Sequence, residues 1–541
     1  MVTRRSDIAG RLEPVAFGIV LALHLVPVWT VHYFPTQDGP AHVYNTAQFL
    51  TLLAGDPLSS RYYATNLHPF PNWATTVLFA GFLRIVSAVT AEKFVVSLYV
   101  LGLPLSARYL LTGRRAGAGW LGWLTLPLVY NDFLHRGFYN FLLGIVVMCL
   151  VVGYWLRHRS RPSPARLATF CALATLLYFC HLVAFGAAGI ALGILTVSAL
   201  AGVDRMTAAP NGSPAAARRE WRRAVLWMLC LLPGVILALQ FVLSQHGSPS
   251  YSNYRWKTVA WVFYAVTAAE NTPIHLIASM LVPALWGAGL AYVVWSRHAP
   301  LKWYRDEFLV CSLTLAVLYI VLPEALAGGS FLNPRLALLA LLLAVPFFAC
   351  VPFGAEARRL MIAAAGCLAL LLVMLNVRLN WSLQDMVEEY LSAGAGLKPN
   401  RTLVSVCLAD EGCGAGTRPG RLRMSPLTHA SGYIATFRHL IDLSNAQAHL
   451  TYFPVRYVPL TDPMPFQNIV EGGHGRRWVP LLPGYSLATG GVIDYVLLWG
   501  LEDAGKRGDD TTELMSWLER DFQLSMTSSR GRVRVYTRRD E

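Results

Sequence analysis

Twelve apolar runs dominate the first 380 residues: Glu13–Phe34, Trp73–Val89, Phe94–Leu111, Trp120–Phe133, Phe138–Leu156, Leu167–His181, Val183–Leu200, Val225–Leu243, Ile274–Trp295, Phe308–Leu326, Leu336–Pro352 and Leu360–Leu379. A helix needs roughly 20 mostly apolar residues to cross about 30 Å of hydrocarbon, so these runs predict membrane spans. Trp120–Phe133 is the shortest and is interrupted by Gly122 and Pro127. It is read as a short or re-entrant helix, which leaves about eleven full crossings, with 10–13 compatible with the pattern. The first run follows Arg4, Arg5 and Arg11, but it is long and no small-residue cleavage site follows it. It is therefore read as a retained helix rather than a signal peptide.

From about Trp381 the texture changes. Leu403–Cys407 and Val492–Trp499 are short β-rich runs, and Arg532–Arg538 alternates like a half-exposed strand. Thr511–Phe522 places Leu514, Trp517, Leu518 and Phe522 on one helical face. The chain thus reads as a polytopic α-helical membrane protein, residues 1–380, with a first outside loop at 35–71, followed by a C-terminal soluble α/β domain at 381–541. The tail contains no GxGxxG or GxxxxGK[ST] phosphate loop.

Composition supports this division. The chain has 541 residues, 55% hydrophobic and only 14% charged, against roughly 25% charged in soluble domains. Its formal charge is +14, but the tail carries 17 basic against 18 acidic residues, and the membrane part 28 against 13. The basic residues cluster in alternate short gaps: Arg157, Arg159, Arg161 and Arg166; Arg205, Arg218, Arg219, Arg222 and Arg223; Arg297, Lys302 and Arg305; Arg358 and Arg359. Such clusters mark cytoplasmic loops, which places the N-terminus inside and the tail outside. A nucleic-acid binder would instead gather its charge on a soluble module. The expected location is a bacterial inner membrane, and 40 Arg against 5 Lys suggests a GC-rich genome.

Seven of the nine cysteines fall in apolar runs; Cys407 and Cys413 lie in the tail, where an oxidising compartment allows a disulfide. The stretch richest in chemistry is Tyr33-Phe34-Pro35-Thr36-Gln37-Asp38-Gly39-Pro40-Ala41-His42-Val43-Tyr44-Asn45. A carboxylate and a histidine stand four apart there, before an amphipathic run that would lie along the membrane surface. Asp38 either caps that helix or faces a substrate. Cations on the outside are few: Arg335 at a helix mouth, Arg255 and Lys257 in an aromatic loop, and Arg136 beside Gly137-Phe138-Tyr139-Asn140. Each either anchors the chain to lipid headgroups or binds a phosphate. Glu270 is a reserve candidate for acid/base work.

A basic N-terminus, one helix, an outside loop opening on an acidic residue, membrane-surface helices, further spans and an outside tail together resemble the GT-C superfamily of integral-membrane glycosyltransferases. The resemblance implies a sugar donor carried on a polyprenyl phosphate and a first-loop carboxylate acting as base on the acceptor, a role that falls to Asp38. Where many members have an acidic pair, this chain has Gln37-Asp38, so a divalent metal stays open but is not supported by a paired motif. The expected site comprises Asp38 as base, His42, Tyr139, Asn140 and Glu270 around the acceptor or sugar, and Arg335, Arg255, Lys257 and Arg136 at the phosphate. The acceptor, whether glycan, lipid or protein, stays open. The rival readings are a transporter or flippase of a lipid-linked solute and a non-catalytic envelope scaffold.

Overall fold

A computed structural model describes residues 2–207, 214–245, 266–296, 306–326, 329–409, 422–466, 482–502 and 509–539. Seven of its helices are long and apolar enough to cross a membrane, and an eighth span arises if Ala217–Leu229 and Leu232–Ser244, bent by 45°, count as one. The longest, Ala355–Leu391, continues past its apolar half into the C-terminal domain.

The segment between residues 72 and 157 departs from expectation in a specific way. Trp73–Phe82 is only ten residues long, about 15 Å at 1.5 Å per residue. Both its ends stay on the side of the bundle that carries the C-terminal domain: Trp73 donates to the His68 carbonyl (3.0 Å), and Phe82 packs on Phe94, which packs on Trp29. Ala118–Leu128, by contrast, runs from one end of the bundle to the other. At its start Arg115 donates to the Ala349 carbonyl (2.9 Å). Midway Trp123 donates to Glu13 (2.8 Å), and beyond its end Tyr130 donates to the His24 carbonyl. It is a 3-10 helix, buried along its whole length. At about 2.0 Å per residue eleven residues reach further than they would as an α-helix. The non-crossing segment is therefore Trp73–Phe82 rather than Trp120–Phe133. The exchange places Arg114, which pairs with Glu307 (3.1 Å), at the same end as Arg159 and Arg358.

The C-terminal domain holds a five-stranded sheet in the order β3 (Ile441–Asp442), β2 (Thr402–Cys407), β5 (Tyr495–Trp499), β7 (Val533–Arg538), β6 (Phe522–Thr527). β2 is parallel to β3 and β5, while β7 is antiparallel to β5 and β6. The helix Asp509–Asp521 ends where β6 begins, so Phe522 opens a strand instead of closing the helix. This domain shares a core with the first loop: Tyr44, Tyr62 and Tyr63 pack among Leu403, Ile434, Leu440 and Tyr457. Tyr63–Thr65 forms β1, antiparallel to β4 (Val455–Tyr457). Cys407 is disulfide-bonded, and Cys413 lies outside the described residues.

Candidate active site

The site is built around the turn Gln37-Asp38-Gly39. Its backbone is pinned by two hydrogen bonds, Gln37 N to the His135 carbonyl and Asp38 N to the Arg136 carbonyl, both 3.1 Å. The helix Gly39–Leu53 starts immediately afterwards, with Pro40 in its first turn, where a missing N–H costs nothing. Asp38 occupies the N-cap position, yet its side chain makes no capping hydrogen bond; only its carbonyl serves the helix, accepting His42 N at 3.0 Å. The carboxylate lines a cavity instead.

That cavity has a volume of about 320 Å3 and is lined by Asp38, His42, Asn140, His181 and Arg335 on its polar side. Leu182, Val183, Phe241, Val242, Leu322, Leu326 and Leu332 form an apolar side. Gln447, Leu450, Tyr452 and Phe453 of the C-terminal domain complete it. Arg335 stands in the first turn of Leu332–Ala344, after Phe331 in left-handed backbone (φ 58°). One Nη of Arg335 donates to the Ser330 carbonyl (2.7 Å), and its guanidinium lies over Phe138 and Phe141, 4.9 and 5.5 Å from the ring centres. Asn140 accepts from Thr75 N (3.0 Å) through its Oδ1, which leaves its amide N–H groups as donors.

The histidines are neutral at pH 7. Burial pushes His42 down to about 4, against a hydrogen bond to the Gly137 carbonyl and with help from nearby His429. His181 is buried close to the guanidinium of Arg335. Its Nδ1 accepts from Val183 N (3.1 Å), which assigns the ring proton to Nε2. The cavity thus combines a carboxylate and a guanidinium with neutral donors and an apolar wall. Among the described residues, no group of three His, Cys, Asp or Glu stands together to hold a metal ion.

No family model matches the sequence, and no curated protein matches it. Solved structures similar to it over nearly their whole length include two of one protein. ArnT from Cupriavidus metallidurans in the apo state has a TM-score of 0.49 at 12% identity, covering 98% of each chain. The same protein bound to undecaprenyl phosphate has a TM-score of 0.45 at 12% identity, covering 96% of this chain and 97% of that one. Similarity at this level leaves the functional reading to the chain's own geometry.

Of the residues singled out in the sequence, Asp38, His42, Asn140 and Arg335 meet in the one cavity. Tyr139 does not line it: its hydroxyl donates to Glu92 and meets Thr36 (3.1 Å) beneath the turn. Arg136 is also absent from the lining, because its guanidinium is taken up by Asp132 (2.7 Å) and the Arg423 carbonyl (3.3 Å). Its contribution to the turn is its backbone carbonyl. Glu270 pairs with His275 (3.3 Å) away from the cavity. Arg255 and Lys257 lie outside the described residues. Three contributors carried no local sequence signal: Gln447, the aromatic pair Tyr452–Phe453, and His429, whose Nε2 is 3.7 Å from Asp38 Oδ1.

Proposed function

We propose that this protein is a membrane glycosyltransferase that moves a sugar from a polyprenyl-phosphate donor to an acceptor hydroxyl in a cavity on the outer face of the membrane. The observation that carries this reading is the meeting of Asp38 and Arg335 in one cavity with an apolar side. Displacement at an anomeric carbon needs a base for the acceptor and a cation for the departing phosphate, and a polyprenyl chain needs a greasy wall. Asp38 takes the proton of the acceptor hydroxyl as its oxygen attacks the anomeric carbon. The carbon–oxygen bond to phosphate breaks on the opposite side, and Arg335 holds the released phosphate through its planar fork of donors.

His181 and Asn140 supply neutral hydrogen-bond donors for sugar hydroxyls without competing with Arg335 for the phosphate, and His42, whose one N–H is spent on the Gly137 carbonyl, offers an acceptor nitrogen. No second member of a metal pair beside Asp38 is needed for these steps. The positive-inside pattern supports an inside N-terminus and an outside site and C-terminal domain. The reading is tested with Asp38→Asn in purified protein supplied with radiolabelled polyprenyl-phosphate sugars and a membrane extract as acceptor source. Loss of transfer by about 100-fold or more, with an unchanged melting midpoint, is expected. Full transfer by that variant, or movement of lipid-linked solute across vesicles that ignores the substitution, overturns it.

A further inference from the structure

His429 reaches the candidate base from the C-terminal domain. It stands just before the helix Ser431–Arg438, and its carbonyl accepts Gly432 N (3.0 Å). Gly432 lets this helix lie directly against the start of Gly39–Leu53, since a Cβ there would stand 2.8 Å from the Pro40 carbonyl oxygen. The close approach brings the imidazole Nε2 to 3.7 Å from Asp38 Oδ1, with His429 only 3% exposed. His42 and Asp442 also act on it electrostatically. Asp442 is itself fixed, accepting from the Ser431 hydroxyl (2.8 Å) and from Ser444 N (2.9 Å). The imidazole therefore feels two buried carboxylates, one in the cavity and one in the sheet of the C-terminal domain.

We infer that His429 is the positioning residue for Asp38, directing an N–H at one carboxylate oxygen so that the other faces the acceptor, and that the C-terminal domain thereby forms part of the catalytic centre. The inference rests on Asp38 acting as base. A spacing of 3.7 Å is longer than a hydrogen bond, and such contacts tighten when substrate fills a site. The acceptor proton goes to Asp38 and leaves from it, so His429 changes no bond in the reaction. It acts by limiting the carboxylate to one orientation, and a misplacement of about 1 Å costs on the order of 100-fold in rate.

The experiment compares wild type, His429→Ala, His429→Gln and Asp38→Asn in full-length protein in lipid nanodiscs, with a polyprenyl-phosphate hexose that the wild type accepts. His429→Ala is expected to lower kcat by about 10- to 100-fold with donor KM within about twofold. His429→Gln, which keeps an N–H donor, is expected to regain most of that loss. Wild-type turnover by His429→Ala, a change in KM alone, or equal loss in Ala and Gln variants overturns the inference. Exchange of the His429 ring C2 proton, followed by mass spectrometry across pH, gives a readout free of activity. Asp38→Asn removes a negative neighbour while His42 and Asp442 remain, so the His429 titration midpoint is expected to fall; an unmoved midpoint also overturns the pairing. Transfer by Asp38→Asn at the wild-type rate would instead sink the base assignment, whatever His429 does.

Discussion

Gly39 backs directly onto Glu92: a Cβ placed on Gly39 would overlap Glu92 Oε1 and Thr36 Oγ1 and stand 2.7 Å from Tyr139 Oη. Glu92 has little freedom to retreat, because the hydroxyls of Thr36, Tyr139 and Tyr433 all hold its carboxyl. The same turn is crowded from the other side by Gly137, at φ 75°, where a Cβ would stand 2.7 Å from Gly39 N. Gly39→Ala should therefore destabilise the protein by about 1–3 kcal/mol through overpacking and swing Asp38 out of the cavity. Melting and transfer assays on Gly39→Ala, Glu92→Ala and the double variant test this. The double variant should lose less than the sum of the singles, because removing Glu92 makes room for the new methyl group. Strict additivity would place the damage elsewhere.

Arg335 should matter by geometry as well as charge. Its guanidinium is already oriented by the Ser330 carbonyl and by Phe138 and Phe141. Arg335→Ala is expected to lower kcat/KM for the lipid-linked donor by about 100- to 1,000-fold, the range for losing one preorganised oxyanion donor. Arg335→Lys keeps the charge but loses the planar fork and should fall between. Steady-state kinetics against donor concentration decide the matter, and a lysine variant equal to wild type would reduce the role to bulk electrostatics.

The C-terminal domain is clamped over the cavity by amides. Asn45 Nδ2 donates to Asn445 Oδ1 (3.1 Å) and Gln447 Oε1 (3.0 Å), and Asn445 Nδ2 returns a bond to Asn45 Oδ1 (3.0 Å). All three residues are buried, and Gln447 lines the cavity. Asn45→Leu would leave two buried amides short of partners, at about 1–3 kcal/mol each. A lower melting midpoint together with a raised substrate KM is expected. A stability loss with unchanged KM would detach this clamp from substrate binding.

The spans were legible because the bilayer imposes a length and composition that few other structures require. Apolar content does not say how far a segment travels, however. Trp73–Phe82 is as apolar as a span but stays at one end of the bundle, while Ala118–Leu128 crosses in a tighter, longer-reaching helix that a 20-residue expectation passes over. Arg335 stood out because cations are scarce beside apolar helix mouths on that side. Arg136 shared this property, yet Asp132 lies four residues before it, and that i,i+4 spacing already offered the partner the structure gives it. His429 is brought to Asp38 through the packing of Ser431–Arg438 on Gly39–Leu53, and Gln447 reaches the cavity through its hydrogen bond from Asn45, contacts between segments about 400 residues apart that leave no local pattern. Strand β6, FQLSMT, has one buried position among six, so it lacked the alternation that marked β7.

Acid should weaken the fold through two histidines at this turn. Burial holds both His42 and His135 at about 4, with 6.5 as the ordinary value. Between pH 6.5 and 4 the unfolded chain takes up a proton at each that the native protein refuses, so stability falls as pH falls through that window, by up to on the order of 3 kcal/mol per group. Asp442 has the opposite sign. Burial raises its carboxyl from 3.8 to about 6, so the native state holds a proton there that the unfolded chain releases, and the protein gains stability as pH falls through 6 toward 3.8. Melting midpoints measured from pH 7.5 to 4.5 should therefore decline on acidification in the wild type. The decline should be shallower in His42→Gln and His135→Gln and steeper in Asp442→Asn, which loses the opposing contribution. Parallel curves for all four proteins would mean that these groups titrate alike in the native and unfolded states.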